Sequence, residues 1–314
     1  MPNETAAYQS QVGNEVSPSA AIPGLTAQTP LAEAREAFRE HMLRQGFAEN
    51  TIKAFLGDLG ILSRYIGGNK PIGDISTHDL NDFLVYLLER RGKPCSPKSY
   101  ARRVTTLKVF FGWLAESGVL PRDPAAPLVH RRVTTPLPRI LHDDQVERLL
   151  SVTRDLLWGP QPDARPYLLI SLLLQTGIKK SECMAIELQH LDLSNPLAPV
   201  LYVRHPNPRM AHKERKLALS PQIVPVLQQY LEQYQPRVRL FECTARNLEY
   251  VLHDAAELAG IPGGVSFEQL RWTAAVRDYR RGMPEEQLRR KLGLSRISWR
   301  ETSEKIKKLA GPAF

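Results

Sequence analysis

LLLQTGIKKSECMAIELQHLDL, residues 172–193, joins an apolar run, a glycine and a cluster of charges. The spacing of its apolar residues predicts a helix over about 163–176, and Gly177 favours the left-handed turn that ends helices. Lys179, Lys180 and Glu182 follow at once, at the start of a second helix predicted over about 180–189. This stretch therefore predicts a helical domain.

On the carboxyl side the hydrophobic period changes once. VLYVRH and ERKLALS, within residues 200–220, predict two strands joined by the polar loop PNPRMAHK. Helices are predicted again at about 221–235, 244–260, 266–281, 284–292 and 298–309, with glycines between several of them. Together with a helix at about 142–155, residues 140–314 are predicted to form one mostly helical domain that contains a small β-hairpin or sheet.

On the amino side, PRDPAAPLVHRRVTTPLPR (residues 121–139) contains five prolines and four arginines. Proline blocks helix continuation, so an extended connector is predicted, either a basic strap across a phosphate backbone or a plain solvated linker. Residues 31–120 show four apolar-striped helices, which predict an all-α domain. Residues 1–30 are rich in small and polar residues and are predicted to be a disordered leader.

The bulk composition favours a basic intracellular protein. The net charge is +9 and the pI is about 9.5, which suits phosphate binding without requiring it. No apolar run reaches the ~20 residues of a membrane span. The three cysteines form no CxxC pair, and none of the eight histidines pairs at i,i+4 spacing. We therefore expect a cytoplasmic location near the nucleoid, with no membrane, cofactor or metal.

Five stretches resemble the tyrosine recombinase (phage integrase) family, and they follow the family's order. They are GFAENTIKAFLGDLGILSRYI (46–66), SPKSYARRVTTLKVFFGWLAESG (96–118), residues 172–193, HKERKLALS (212–220) and SFEQLRWTAAVRDYRRGMPEEQLRRKLGLSRIS (266–298). The resemblance implies a mainly α fold, with a four-helix core-binding (SAM-like) domain before a mostly α catalytic-type domain. It also implies double-stranded DNA as the partner.

The family cleaves DNA with a tyrosine hydroxyl while two arginines, a hairpin lysine and histidines hold the scissile phosphate. In chain order, the family's first arginine, hairpin lysine, first histidine, second arginine, second histidine and tyrosine fall on Lys179, Arg209 or Met210, Glu268, Arg271, Leu294 and Ser303. Lysine lacks the planar fork of arginine, and a carboxylate repels a phosphate. With only Arg271 retained in kind, the resemblance predicts a degenerate site that does not cleave DNA.

The basic residues of the DNA-contacting segments are largely present. Lys98 and Arg102 are i,i+4 neighbours on a predicted helix, and Arg271 would anchor a ring of cations in the second domain. The predicted DNA contacts are Lys98, Arg102, Arg103, Lys108, Arg131, Arg132, Lys179, Lys180, Arg209, Lys213, Arg215 and Arg271. In the family the final helix docks onto a neighbouring protomer, so a second copy or an active recombinase is a further expected partner.

Three functions stay open at this point. The leading interpretation is a DNA-binding homologue that does not cleave DNA and acts as an accessory or regulatory factor in integration or recombination. An active recombinase would need relocated residues, with Tyr279 or Ser303 as the nucleophile beside Lys179 and Arg271. A helical protein-interaction scaffold without DNA binding is the third, because a fold does not fix a function.

Overall fold

A computed structural model describes residues 24–93, 95–130, 136–205 and 207–311, apart from the side chain of Arg209. The chain divides into two compact units between Pro136 and Leu137. Both are mostly helical, and one small antiparallel sheet lies in the second, as the resemblance implies. Within these residues, no helix is both long enough and apolar enough to cross a membrane.

The first unit is built on four α-helices, as predicted. They are α1 (Leu31–Arg44), α2 (Glu49–Ile66), α3 (Thr77–Val85) and α4 (Pro97–Glu116). Ser76 and Asp79 form a capping box at the start of α3, and a π-turn, Tyr86–Arg90, follows it. Phe38, Phe83 and Phe110 are almost fully buried. Each contributes about 1.5–3 kcal/mol by leaving water, so the apolar stripes seen in the sequence form the core.

The segments that flank these helices also pack onto them. The backbone N–H of Ile72 donates to Thr29 O at 3.0 Å, and Ala125 and Leu128 are buried in the same core. The predicted disorder is therefore wrong for residues 24–30, and the predicted extended path is wrong for 121–128, because core contacts hold both. Residues 1–23 and 131–135, with Arg131 and Arg132, lie outside the described residues.

The second unit contains a three-stranded antiparallel sheet in the order β1–β2–β3. The strands are β1 (Leu191–Asp192), β2 (Val200–Val203) and β3 (Arg215–Ala218). The helices are α5 (Asp143–Asp155), α6 (Arg165–Thr176), α7 (Lys180–Met184), α8 (Ile223–Tyr234), α9 (Ala245–Leu258), α10 (Phe267–Arg280), α11 (Glu285–Lys291) and α12 (Arg296–Ala310). Leu201 pairs with Leu217 and both face the core, while the neighbouring pair Tyr202–Lys216 faces away from it.

Two local predictions differ from the structure. The helix predicted over about 180–189 ends at Met184, because the following backbone pairs with residues 238–240: Leu188 N–H donates to Val238 O at 2.9 Å. The loop between β2 and β3 contains a 3₁₀ segment, Pro208–Lys213. Charged side chains of α7 and of the hairpin meet in one site, where Arg215 donates to Glu182.

Candidate functional site

A buried carboxylate, that of Glu182, is the centre of the charged site in the second unit. Gly177 ends α6 with φ 60°, and Glu182 lies in the first turn of α7. Its carboxylate accepts the backbone N–H of Lys179 at 2.9 Å and two guanidinium N–H groups of Arg215 at 3.0 Å. Burial opposes ionisation, but the hydrogen bonds and charge of Arg215 outweigh it and lower the pKa of Glu182. Glu182 is therefore an ionised anchor for basic groups.

Arg215, on β3, has a side chain that is only 9% exposed. It also donates to Lys291 O at 2.7 Å, at the end of α11, and to Lys213 O at 3.0 Å. Gly293 permits this close packing, since a Cβ there would lie 2.7 Å from Arg215 Nη1. These contacts give Arg215 a structural role that joins the hairpin to α7 and α11. Its predicted contact with DNA remains a prediction.

Arg271, on α10, lies beside the same carboxylate. Its guanidinium donates to Gly177 O and, at 2.7 Å, to Leu292 O. Burial lowers the pKa of Arg271 to about 10, although the charge of Glu182 opposes the shift. The group therefore stays protonated at neutral pH. It ties the end of α6 to the end of α11 while adding a positive charge to the site.

Two lysines supply charge that no carboxylate compensates directly. Among the described residues, the Lys179 ammonium has neither a hydrogen bond nor an ion pair. Burial and the charges of Arg271, Lys213 and Arg215 lower its pKa, with Glu182 acting in the opposite direction. The Lys213 ammonium contacts only the Met210 sulfur, at 3.4 Å, within the described residues. Both ammonium groups are thus available to bind an anion.

His205 also belongs to this site, although no motif in the sequence points to it. Its Nε2 lies 3.7 Å from Glu182 Oε1, and its side chain is 16% exposed. The available signal was strand register: pairing of Val203 with Arg215 places residue 205 opposite Lys213. Burial lowers the pKa of His205, while Glu182 raises it and Arg215 and Lys213 lower it further. The imidazole is therefore neutral at neutral pH.

The structure also places the residues at the family's other catalytic positions and the alternative nucleophile Tyr279. Glu268 is exposed in the first turn of α10, and Leu294 is half-buried against an apolar cluster. Ser303 is 7% exposed, and its hydroxyl donates to Arg300 O at 3.1 Å. Tyr279 packs in the cluster around Ile306, eight residues after Arg271 on α10. Those eight residues separate the two side chains by about 12 Å along the helix axis.

The basic side chains of α4 divide between surface and interior. Lys98 is exposed, and Arg102, 45% exposed, donates to both oxygens of Asp58 at 2.7 and 2.8 Å. Arg103 is 7% exposed, and its buried guanidinium donates to Asp58. Its predicted DNA contact is wrong, because burial removes the side chain from the surface. Lys108 is half-buried and donates to Ala126 O at 3.0 Å. Lys98 and Arg102 are thus the cations of the predicted α4 set that are exposed.

The remaining predicted contacts are scattered. Lys180 is exposed and forms an ion pair with Glu249 at 2.8 Å, and the side chain of Arg209 lies outside the described residues. In the described part of the chain, His253, Asp254 and Glu257 are the one group of possible metal donors, all exposed on α9. Their mutual contacts of 3.7 and 3.9 Å are ordinary for charged neighbours on a solvated helix face.

Fold and site together define a class: a two-unit helical protein whose second unit gathers basic side chains around one carboxylate beside a small sheet. The family model described as "Phage integrase family" matches residues 139–301, and that of the "Phage integrase, N-terminal SAM-like domain" matches residues 35–119. The chain belongs to the phage integrase family. The resemblance found in the sequence is thereby confirmed.

Curated relatives match parts of the chain. Tyrosine recombinase XerD of Listeria innocua is 27% identical over 198 residues, and the match spans 63% of this chain and 63% of the relative. Tyrosine recombinase XerC of Roseiflexus sp. is 34% identical over 162 residues, half of each chain. A tyrosine recombinase of Thermosipho africanus is 26% identical over 258 residues, 80% of this chain and 87% of the relative.

Solved structures share the fold. A lambda integrase dimer bound to a COC' core site aligns with a TM-score of 0.68 at 13% identity, covering 99% of this chain and 87% of that one. XerH recombinase bound to difH, in a pre-cleavage complex, aligns with a TM-score of 0.66 at 14% identity, covering 92% and 96%. At these identities the likeness establishes the architecture and leaves the chemistry to the residues themselves.

Proposed function

We propose that this chain binds double-stranded DNA without cleaving it, as an accessory or regulatory factor in DNA integration or recombination. The observation that carries the proposal is the charge of the Glu182 site. Among the described side chains, four cations, those of Lys179, Lys213, Arg215 and Arg271, lie around the carboxylate of Glu182. Three positive charges are therefore uncompensated, and burial raises the free energy of each of them.

A backbone phosphate is the anion that suits this excess. It brings negative charge to two ammonium groups that have no carboxylate partner among the described residues, and its binding releases counterions from the DNA. The lambda integrase and XerH structures that share this fold are complexes with DNA sites. On the first unit, Lys98 and the exposed part of Arg102 offer further contacts to a phosphate backbone.

The candidate nucleophile positions support the proposed absence of cleavage. Ser303 replaces the family's tyrosine, and its hydroxyl is buried and bonded to its own helix. Tyr279 lies about 12 Å along α10 from Arg271, too far to attack a phosphate held there. Groups that act together in catalysis fail together, so retention of Arg271 alone would not sustain strand cleavage.

The proposal also includes a protein partner for α12, either a second copy of the chain or an active recombinase. Ile306 of α12 is buried against Val276 and Leu288 of its own unit. Arg280 also donates to the carbonyls of Leu309 and Ala310 at the end of α12. Docking onto a second copy or an active recombinase would therefore require α12 to leave these contacts.

The test is duplex DNA binding by the full chain across a salt series, with denaturant-resistant protein–DNA adducts scored in the same samples. Lys179→Met removes a site charge, and Lys180→Met is the matched comparison. The resemblance also predicts a DNA contact for Lys180, but its exposed ammonium is already paired with Glu249, so it adds no uncompensated charge to the site. We expect Lys179→Met to weaken binding about tenfold and to reduce the salt slope by about one. Lys180→Met should change affinity less than about threefold.

The alternatives give distinct results. Adduct formation by the wild-type chain would overturn the absence of cleavage and favour a relocated nucleophile. No binding at low salt would leave the interaction-scaffold interpretation. Equal losses for Lys179→Met and Lys180→Met would remove the Glu182 site from the proposal while leaving DNA binding in place.

A further inference from the structure

His205 has an orphaned polar atom inside the charged site. Its Nε2 is buried and has no hydrogen-bond partner among the described residues, although Glu182 Oε1 is only 3.7 Å away. A buried nitrogen normally has a hydrogen-bond partner. Here a carboxylate oxygen lies just beyond hydrogen-bond distance, so a small shift of the ring would supply one. A neutral imidazole whose Nε2 is an acceptor cannot bond a carboxylate, whereas a protonated one donates to it.

The charges around His205 come from α7 and from the hairpin. Glu182 faces it from α7, and Lys213, Glu214 and Arg215 face it from the hairpin. The backbone N–H of His205 donates to Glu214 Oε1 at 3.0 Å, which fixes the chain next to the ring. Glu182 Oε1 already accepts from Arg215 Nη1 at 3.0 Å, so a protonated His205 would compete for the same oxygen.

We propose that His205 is a positioning residue that makes the anion affinity of the Glu182 site depend on pH. In its protonated form, His205 donates a hydrogen bond to Glu182 Oε1 and replaces the one from Arg215. It also adds a fourth uncompensated positive charge to the site. The inference rests on the proposed function, because the anion is the DNA phosphate. His205 acts through Glu182 and does not itself touch the DNA.

The sign of the effect follows from linkage. Burial and two neighbouring cations lower the pKa of His205 in the free protein, so the ring is neutral near pH 7. A bound phosphate adds negative charge and raises that pKa, so anion binding takes up a proton. Affinity for DNA must then rise as the pH falls through the pKa of the complex.

The experiment measures duplex DNA binding by the full chain at about pH 5.5 and about pH 7.5 at constant ionic strength, on either side of the ordinary histidine range. The wild-type chain should bind about five- to tenfold more tightly at the lower pH, as expected for a rise of nearly one unit in one pKa. His205→Gln should reduce this ratio to less than about twofold. His212→Gln is the control, because His212 is an exposed histidine of the same loop and should keep the wild-type ratio.

A second measurement covers the case in which His205→Gln does not fold. The His205 ring resonance of the wild-type chain is titrated with and without inorganic phosphate, and its midpoint should be higher with phosphate. An unchanged midpoint, or equal pH ratios for wild type and His205→Gln, would overturn this inference while leaving DNA binding intact. Failure to bind DNA at either pH would instead reject the proposed function.

Discussion

Within the described residues, each unit buries a carboxylate among arginines, but the two clusters balance their charges differently. In the first unit, Asp58 accepts two hydrogen bonds from Arg102 at 2.7–2.8 Å and one from Arg103 at 3.3 Å. In the second unit, Glu182 accepts two from Arg215 at 3.0 Å. The Asp58 cluster leaves about one positive charge, on the half-exposed Arg102, whereas the Glu182 cluster leaves three within a partly buried site.

This difference predicts a structural role for the first cluster and a binding role for the second. Buried charges persist when they are paired and hydrogen-bonded, and the Asp58 cluster meets that condition with the Thr106 hydroxyl as an additional donor at 3.2 Å. In the Glu182 cluster, like charges and burial lower the pKa of Lys179 and of Arg271. A site that is strained by its own charge in the free protein gains most from an anion. The two carboxylates can therefore be distinguished by experiment.

The largest effect is expected from removing the first carboxylate. Asp58→Ala leaves the buried Arg103 without its ion pair, and should lower the free energy of unfolding by about 3–5 kcal/mol. Urea denaturation of the full chain measures the loss. Asp82→Ala is the control, since the side chain of Asp82 is 51% exposed and its carboxylate contacts only His78, at 3.5 Å, among the described residues. A similar small loss for both variants would show that the Asp58 cluster does not hold the first unit together.

Glu182→Gln should be nearly as destabilising, by about 3–4 kcal/mol at low salt, because four cations then lack their carboxylate. Adding inorganic phosphate to both variants distinguishes the Glu182 cluster from the Asp58 cluster. An anion that occupies the site should return about 1–2 kcal/mol to Glu182→Gln, the amount expected at roughly tenfold above its dissociation constant. Asp58→Ala should show no such rescue, and equal rescue of both variants would point to a general salt effect.

Helix order and the core could be predicted from the sequence because they depend on periodic burial. The α4 stripe that includes Leu107, Phe110 and Leu114 is buried as its spacing predicts. The roles of individual cations could not be predicted in the same way. Arg102 and Arg103 are adjacent in sequence, yet one is half-exposed and the other buried, because adjacent helix residues point about 100° apart.

The same limit applies to the charged site. The resemblance predicts Lys179, Arg215 and Arg271 in this site, and the structure brings them together around Glu182. His205 is not predicted because its neighbour, Glu182, is 23 residues away in sequence and the two meet only where the hairpin packs against α7. Tertiary placement, rather than residue type, decides which polar groups share a site.

A pair of glycines tests how tightly the Glu182 cluster is packed. Gly260 and Gly293 both have φ of 61°, but a Cβ at Gly260 would meet nothing within 4 Å, while one at Gly293 would meet Arg215 at 2.7 Å. Both alanine variants carry the cost of the left-handed conformation, about 1–2 kcal/mol. Gly293→Ala should lose about 1–2 kcal/mol more, because Arg215 must move away from Glu182. Equal losses in urea denaturation would mean that Arg215 shifts freely and is no structural anchor.

The smallest effect is expected at the position of the family's nucleophile. Among the described residues, the Ser303 hydroxyl donates only to Arg300 O, one turn back on α12, so Ser303→Ala should lower the free energy of unfolding by about 1 kcal/mol or less. DNA affinity and its salt dependence should match those of the wild-type chain, in contrast to Lys179→Met. If Ser303→Ala instead abolished a denaturant-resistant adduct that the wild-type chain forms, Ser303 would be a working nucleophile. The buried hydroxyl would then have to leave Arg300 O to reach the DNA. The molecule would contain a catalytic region on α12, in addition to the structural Asp58 cluster and the binding Glu182 cluster.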